Sequence, residues 1–108
     1  GAFPVWLSPM QAKILPITDA QLEFAKEIEA KLKAKGIRVE VDDSNEKIGY
    51  KIRKAQLEKV PYMLVMGAKE VEANAVAVRS RKAGDIGQML VDEFIAKIQN
   101  DIETKAID

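Results

Sequence analysis

The sequence predicts an α/β fold, and three observations carry that reading. Short strand-like apolar runs alternate with helical ones, the signature of this class. The chain has 108 residues, of which 47% are hydrophobic, enough for one modest core. It shows no internal repeat, low-complexity tract or linker that would divide that core. Residues 1–108 therefore read as a single domain, with residues 1–9 as an extended lead-in.

The elements follow in order. The lead-in Phe3-Pro-Val-Trp-Leu-Ser-Pro9 contains two prolines and is expected to dock Phe3, Val5 or Trp6. It has no basic segment and is too short for a signal peptide. Ala12 to Ile17 reads as a mostly apolar strand that ends around Pro16 and Thr18. Thr18-Asp-Ala-Gln21 has the form of a capping box. The helix behind it places Leu22, Ala25, Ile28 and Leu32 on one face. Lys33 and Lys35 suit its C-terminal dipole, and Gly36 suits the left-handed position beyond. Ile37 to Val41 alternates, which predicts a half-buried strand with Arg38 and Glu40 outward. Asp42-Asp-Ser-Asn45 is polar and rich in potential caps, and a second helix is expected from Glu46 to Glu58. Its apolar face is Ile48, Ile52 and Ala55, flanked by Leu57, with Lys47, Lys51 and Lys54 on the opposite side. Gly49 weakens this helix by about 1 kcal/mol relative to Ala, which points to close packing or to close approach of a ligand.

Tyr62 to Met66 is a continuous apolar run and predicts a central strand covered on both faces. Gly67-Ala-Lys-Glu70 is expected to turn the chain into a strand at Ala75 to Val78. Ala83 to Gly87 is expected to be a loop, and a last helix starts near Asp92 with Phe94, Ile95, Ile98 and Ile102 inward. The order is β-α-β-α-β-β-α, with room for one more short strand.

Charge and composition narrow the function. Lys plus Arg equals Asp plus Glu at 17 each, so the molecule as a whole does not attract nucleic acid. The charges segregate, however. Lys47, Lys51, Arg53, Lys54 and Lys59 face a single acid, Glu58, within one short stretch. There is no cysteine, which excludes a disulfide framework and thiolate chemistry and fits a cytoplasmic setting. There is no histidine, the commonest general base and metal ligand. No run approaches the roughly 20 apolar residues of a membrane span.

Enzyme motifs are missing as well. No Gly-x-Gly-x-x-Gly follows a strand, and no phosphate loop ends in Gly-Lys-Ser/Thr. Ser8, Ser44 and Ser80 have no histidine to activate them. Asp42 and Asp43 are adjacent, so on a strand they point to opposite faces and read as a solvated turn. Gly84-Asp-Ile-Gly87 is a Gly-x-x-Gly element, a form that can clamp a nucleic-acid backbone but more often marks a turn. The cations at 47, 51 and 54 could track phosphates, or could be an ordinary solvated face. Tyr50 lies on the same helix, while Phe3, Trp6, Phe24, Tyr62 and Phe94 read as core aromatics.

A set of longer strings is more specific. Asn45-Glu-Lys-Ile-Gly-Tyr-Lys-Ile-Arg53 is followed by Val60-Pro-Tyr-Met-Leu-Val65, then Gly67-Ala-Lys-Glu-Val-Glu72, then Val76-Ala-Val-Arg-Ser-Arg81. With Phe3 to Pro9, in this order and spacing, they closely resemble the C-terminal anticodon-binding domain of bacterial threonyl-tRNA synthetases. The resemblance covers nearly the whole chain. Related domains occur in the prolyl, glycyl and histidyl synthetases, but the Asn-Glu-Lys-Ile-Gly and Val-Ala-Val-Arg strings are similar to the threonyl branch.

The resemblance implies a three-layer domain with a mixed sheet of about five strands and helices on both faces. It implies a module that grips the anticodon loop of a threonine tRNA and has no catalytic activity. The catalytic domain of the parent enzyme would activate threonine, and zinc and ATP would belong there, so no cofactor or metal is expected on this chain. By motif match, Asn45, Arg53, Glu70 and Arg79 stand where the family contacts anticodon bases. Arg offers a rigid fork of donors, a carboxylate accepts from guanine N–H groups, and Asn does both. Lys47 and Lys51 would be phosphate contacts, which position without specifying. Outside the resemblance, Glu70 and Arg79 read as an ordinary surface ion pair.

The chain departs from the family pattern at Ser44, where Arg is usual, at Ala68, where Asp is usual, at Lys54, commonly Glu, and at Asn74, often Gly. Ser44, Ala68, Ala83 and Leu90 motivate a second reading: an engineered or altered scaffold with a new surface for protein binding or self-association. A small hydrolase or nucleotide-binding enzyme is a third.

Overall fold

A computed structural model describes residues 3–105. Gly1 and Ala2 of the expected lead-in, and residues 106–108, lie outside the described residues. The regular elements are β1 (Ala12–Pro16), α1 (Leu22–Ala34), β2 (Val39–Val41), α2 (Ile48–Leu57), β3 (Tyr62–Met66), α3 (Ala68–Ala73), β4 (Ala75–Ser80), β5 (Gly84–Leu90) and α4 (Val91–Glu103). They form a five-stranded sheet in the order β2-β1-β3-β4-β5. The first three strands are parallel, and β4 and β5 run antiparallel to their neighbours.

This order explains the layers. The β1-α1-β2 connection moves toward one edge of the sheet, and β2-α2-β3 moves back past β1 to its other side. Two crossovers of the same hand running in opposite directions place their helices on opposite faces. Accordingly Ala25, Ile28 and Leu32 of α1 pack with Phe94, Ile95 and Ile98 of α4 on Ile14, Leu64, Val76 and Val78. On the other face Ala55, Ile48 and Ile52 of α2 pack on Leu15 and Met63. Strand β3 is thus covered on both sides, as its unbroken apolar run predicts. The Tyr62 ring meets Phe94 edge-on at 5.4 Å, and its hydroxyl donates to the Asp101 carboxylate.

Local signals act where the sequence places them, with shifts. The Thr18 hydroxyl accepts the Ala20 N–H at 3.3 Å, and Gln21 accepts the Thr18 N–H at 2.8 Å. This box opens a short 3-10 turn, Asp19–Gln21, that leads into α1. Gly36 is left-handed, with φ +78°. Helix α2 is shorter than expected, Ile48–Leu57 against 46–58, and Leu57 does not flank its buried face but is 78% exposed.

Three expectations are corrected. Gly67 to Glu70 is not a simple turn but the start of α3, because Glu70 reaches back to accept the Gly67 N–H at 2.8 Å. Asn74 ends α3 in the left-handed region, φ +53°. Ala83 to Gly87 is not a loop: from Gly84 the chain forms β5 at the sheet edge. Two left-handed glycines and a register shift at Val78/Arg79 hide its alternation. The lead-in is not fully extended either. Val5–Leu7 is a 3-10 turn that buries Val5, while Phe3 is 54% exposed rather than docked. Trp6 is half-buried, with the Lys105 ammonium 5.2 Å from its ring centre.

Candidate nucleic-acid interface

Helix α2 covers β1 and β3, and the sheet continues past it through β4 and β5. Directly paired residues of neighbouring strands share a face. Arg79 pairs with Met63, which packs under α2, so Arg79 points to the α2 side. Ala77 opposite Gln88 and Arg79 opposite Asp85 continue that side to the edge. Gln88 and Asp85 are exposed and Ala77 half-buried, so this part of the sheet forms an open floor. The methyl group of Ala77 keeps the floor low.

The wall of the groove is the flank of α2. Gln56 lines a hollow of about 250 Å3 with Val60, Met63, Arg79 and Arg81. Arg53 and Gly49 lie three and seven residues before Gln56, on the same helical flank. A second hollow of about 250 Å3 sits at the other end of α2, lined by Thr18, Ser44, Asn45 and Lys51 among others.

The candidate residues do not cluster: Arg79 lines the first hollow and Asn45 and Lys51 the second, whereas Lys47, Arg53 and Glu70 line neither. Arg79 is half-buried, and its Nε is buried with no hydrogen-bond partner. Arg53 is exposed on the wall, and Lys47 is exposed at the N-cap of α2. Asn45 is exposed in the loop before α2. Glu70 is half-buried in the first turn of α3, beyond the end of β3, whereas Arg79 pairs near its start. No Glu70–Arg79 ion pair is found among the described residues, and Glu70 caps its own helix instead.

Lys51 departs from expectation. It does not join an exposed stripe with Lys47 and Lys54 but is 3% exposed. Its ammonium donates to the Pro16 carbonyl at 3.0 Å and the Asp42 carbonyl at 3.2 Å. It therefore ties the ends of β1 and β2 together beneath the loop that carries Asn45. The reason is rotational: one residue before Ile52 and four before Ala55, it falls on the inner flank of α2.

Asp42, expected in a solvated turn, is 8% exposed, and its carboxylate accepts the Ser44 N–H at 3.0 Å. Burial pushes its pKa up, but the bonds from Ser44 and the nearby Lys51 and Lys54 ammoniums outweigh this and hold it below the usual carboxylate value. A carboxyl with a lowered folded-state pKa adds stability above its unfolded value, about 3.9, and loses it as pH falls through the folded value. Urea midpoints measured across acidic pH should therefore fall less steeply for Asp42→Asn than for the parent chain.

Sequence reasoning missed Gln56, Gln88 and Asp85 as groove residues. Only the β4–β5 register and the rotation of α2 bring them together, and neither is visible in composition or spacing.

Residues 11–101 match the model of a family described as the anticodon binding domain. The chain belongs to that family. Among relatives of this anticodon-binding family, the threonine–tRNA ligase of Clostridium botulinum (strain Okra / Type B1) is 62% identical over 105 residues, 97% of this chain and 16% of that protein. That of Clostridium tetani is 56% identical over 108 residues, 100% of this chain and 17% of that protein. The chain thus spans about one sixth of the length of these ligases. The RNA binding domain of threonyl-tRNA synthetase from Cryptosporidium parvum Iowa II superposes with TM-score 0.85 at 38% identity, covering 93% of this chain and 25% of that one. Prolyl-tRNA synthetase from Cryptosporidium parvum, complexed with halofuginone and AMPPNP, gives TM-score 0.85 at 27% identity, covering 95% of this chain and 22% of that one. The family fold is therefore the one described above: a mixed sheet with helices on both faces. Identity running through 97% of the chain does not favour the reading of an engineered scaffold with a new surface. Among the described residues, no helix is long and apolar enough to cross a membrane.

Proposed function

We propose that this chain recognises the anticodon loop of a threonine tRNA for a threonine–tRNA ligase, in the cytoplasm, and performs no chemistry of its own. The observation that carries the reading is Arg79. A guanidinium with a buried, unsatisfied Nε stands at the floor of an open groove in a fold of the anticodon binding domain family. Splayed single-stranded bases expose their pairing edges, and a rigid fork of N–H donors recognises such edges.

In this reading Arg79 and Arg53 donate to base oxygens from floor and wall. Asn45 and Glu70 meet bases toward the other end, Glu70 with the oxygen that its helix cap leaves over. Lys47 neutralises a phosphate. Lys51 acts one step back, holding the loop of Asn45 in place. The threonine activation and charging of the ligase, with its ATP and zinc, belong to the parent's catalytic domain.

The test is a titration of the chain with a labelled threonine-tRNA anticodon stem-loop at low and moderate salt, beside a loop with scrambled anticodon bases. Tighter, salt-sensitive binding to the cognate loop is expected. Equal or absent binding to both would sink the proposal.

A further inference from the structure

The glycines of the groove region have identifiable reasons, with one exception. Gly84 and Gly87 have φ of +74° and +93°, which side chains rarely adopt. Gly67 faces Ile17, whose Cδ1 would lie 3.0 Å from an added Cβ. Gly49 has neither reason. Its φ is not left-handed, and a Cβ built there meets no atom within 4 Å beyond its chain neighbours and the backbone of its own helix. It sits in the first turn of α2, where glycine weakens a helix and Ala would be better. Nothing among the described residues explains it. Of the two causes open at the level of sequence, close packing against the described residues is removed.

The position of Gly49 supplies the other cause. It precedes Arg53 by four residues and Gln56 by seven, so its bare backbone belongs to the flank of α2 that walls the groove. Gln56, on that flank, shares a hollow with Arg79. Asn45 lies four residues before Gly49, in the loop that leads into the helix. We propose that Gly49 is the point where a nucleotide of the bound loop lies in van der Waals contact with the α2 backbone. The missing side chain lets the RNA seat deeply enough for Arg53 and Arg79 to reach base edges. Gly49 is thus a positioning residue: it contributes space, and the neighbouring side chains contribute the hydrogen bonds.

The inference rests on the anticodon-loop reading, and the experiment separates the two. Parent, Gly49→Ala and Gly49→Leu chains are titrated with the cognate and scrambled stem-loops, and each is melted without RNA. The expected result is a raised melting temperature for Gly49→Ala together with a weaker affinity, by about tenfold, and a larger loss for Gly49→Leu. A more stable variant that binds less well cannot be explained by misfolding. If the parent distinguishes the loops and both variants bind as tightly as it does, the inference is overturned while the function stands. If Gly49→Ala melts lower, the side chain meets something after all, and the elimination fails. If the parent does not distinguish the loops, both fall together.

Discussion

Arg79→Ala is expected to weaken binding of the cognate anticodon stem-loop by about 1–3 kcal/mol and to narrow the gap between cognate and scrambled loops. The expected loss comes from hydrogen bonds to base edges, so it should appear mainly in sequence preference. Loss of a phosphate contact would instead weaken all loops alike and reduce the salt dependence. Stability should change little, within about 1 kcal/mol, because the parent already carries a buried Nε without a partner and the substitution removes that cost along with the side chain's packing. The measurement is fluorescence anisotropy with both loops, paired with thermal melting. A variant that binds as tightly and selectively as the parent would remove Arg79 from the site. A variant that melts far lower would make it a structural residue.

Lys51→Met should do the opposite: a large loss of stability, about 3 kcal/mol, with a melting temperature lower by roughly 10–20 °C. Met keeps most of the volume and the apolar stem. What disappears is the ammonium that bonds the Pro16 and Asp42 carbonyls and sits near the Asp42 carboxylate. Those acceptors stay buried, and a buried charge-assisted hydrogen bond is costly to leave half made. RNA affinity should then fall only through the Asn45 loop and be partly recovered at low temperature, where the folded chain dominates. If Lys51 instead met phosphate directly, the variant would melt near the parent and lose salt-dependent affinity. Melting alone separates the two roles.

The central fold was legible because its signals are local and periodic. The spacing of Ala25, Ile28 and Leu32, the alternation of Ile37 to Val41, and the apolar run of Tyr62 to Met66 each state which face is buried. Where the reading failed, the deciding interaction was short or distant. Helix α3 spans Ala68–Ala73, too few residues for a period to show, and rests on the Glu70 cap. Lys51 and Asp42 look solvated in sequence, and only the packing of α2 over the ends of β1 and β2 buries them. Arg79 stands out in the sequence through its motif, but the floor it shares depends on pairings between β4 and β5 that no string of residues announces.

The irregularity of β5 has a consequence for how copies of this chain meet one another. An edge strand offers unpaired backbone groups to any other chain, and a long, flat, apolar edge recruits a further strand. Strand β5 is long, Gly84–Leu90, and exposed along most of its length. But Gly84 and Gly87 are left-handed, the pairing slips at Val78/Arg79, and Asp85 carries charge on the strand itself. An approaching strand could not stay in register past Gly87. The kinks that hide this strand in the sequence thus discourage open-ended sheet growth from the edge that borders the floor of the groove.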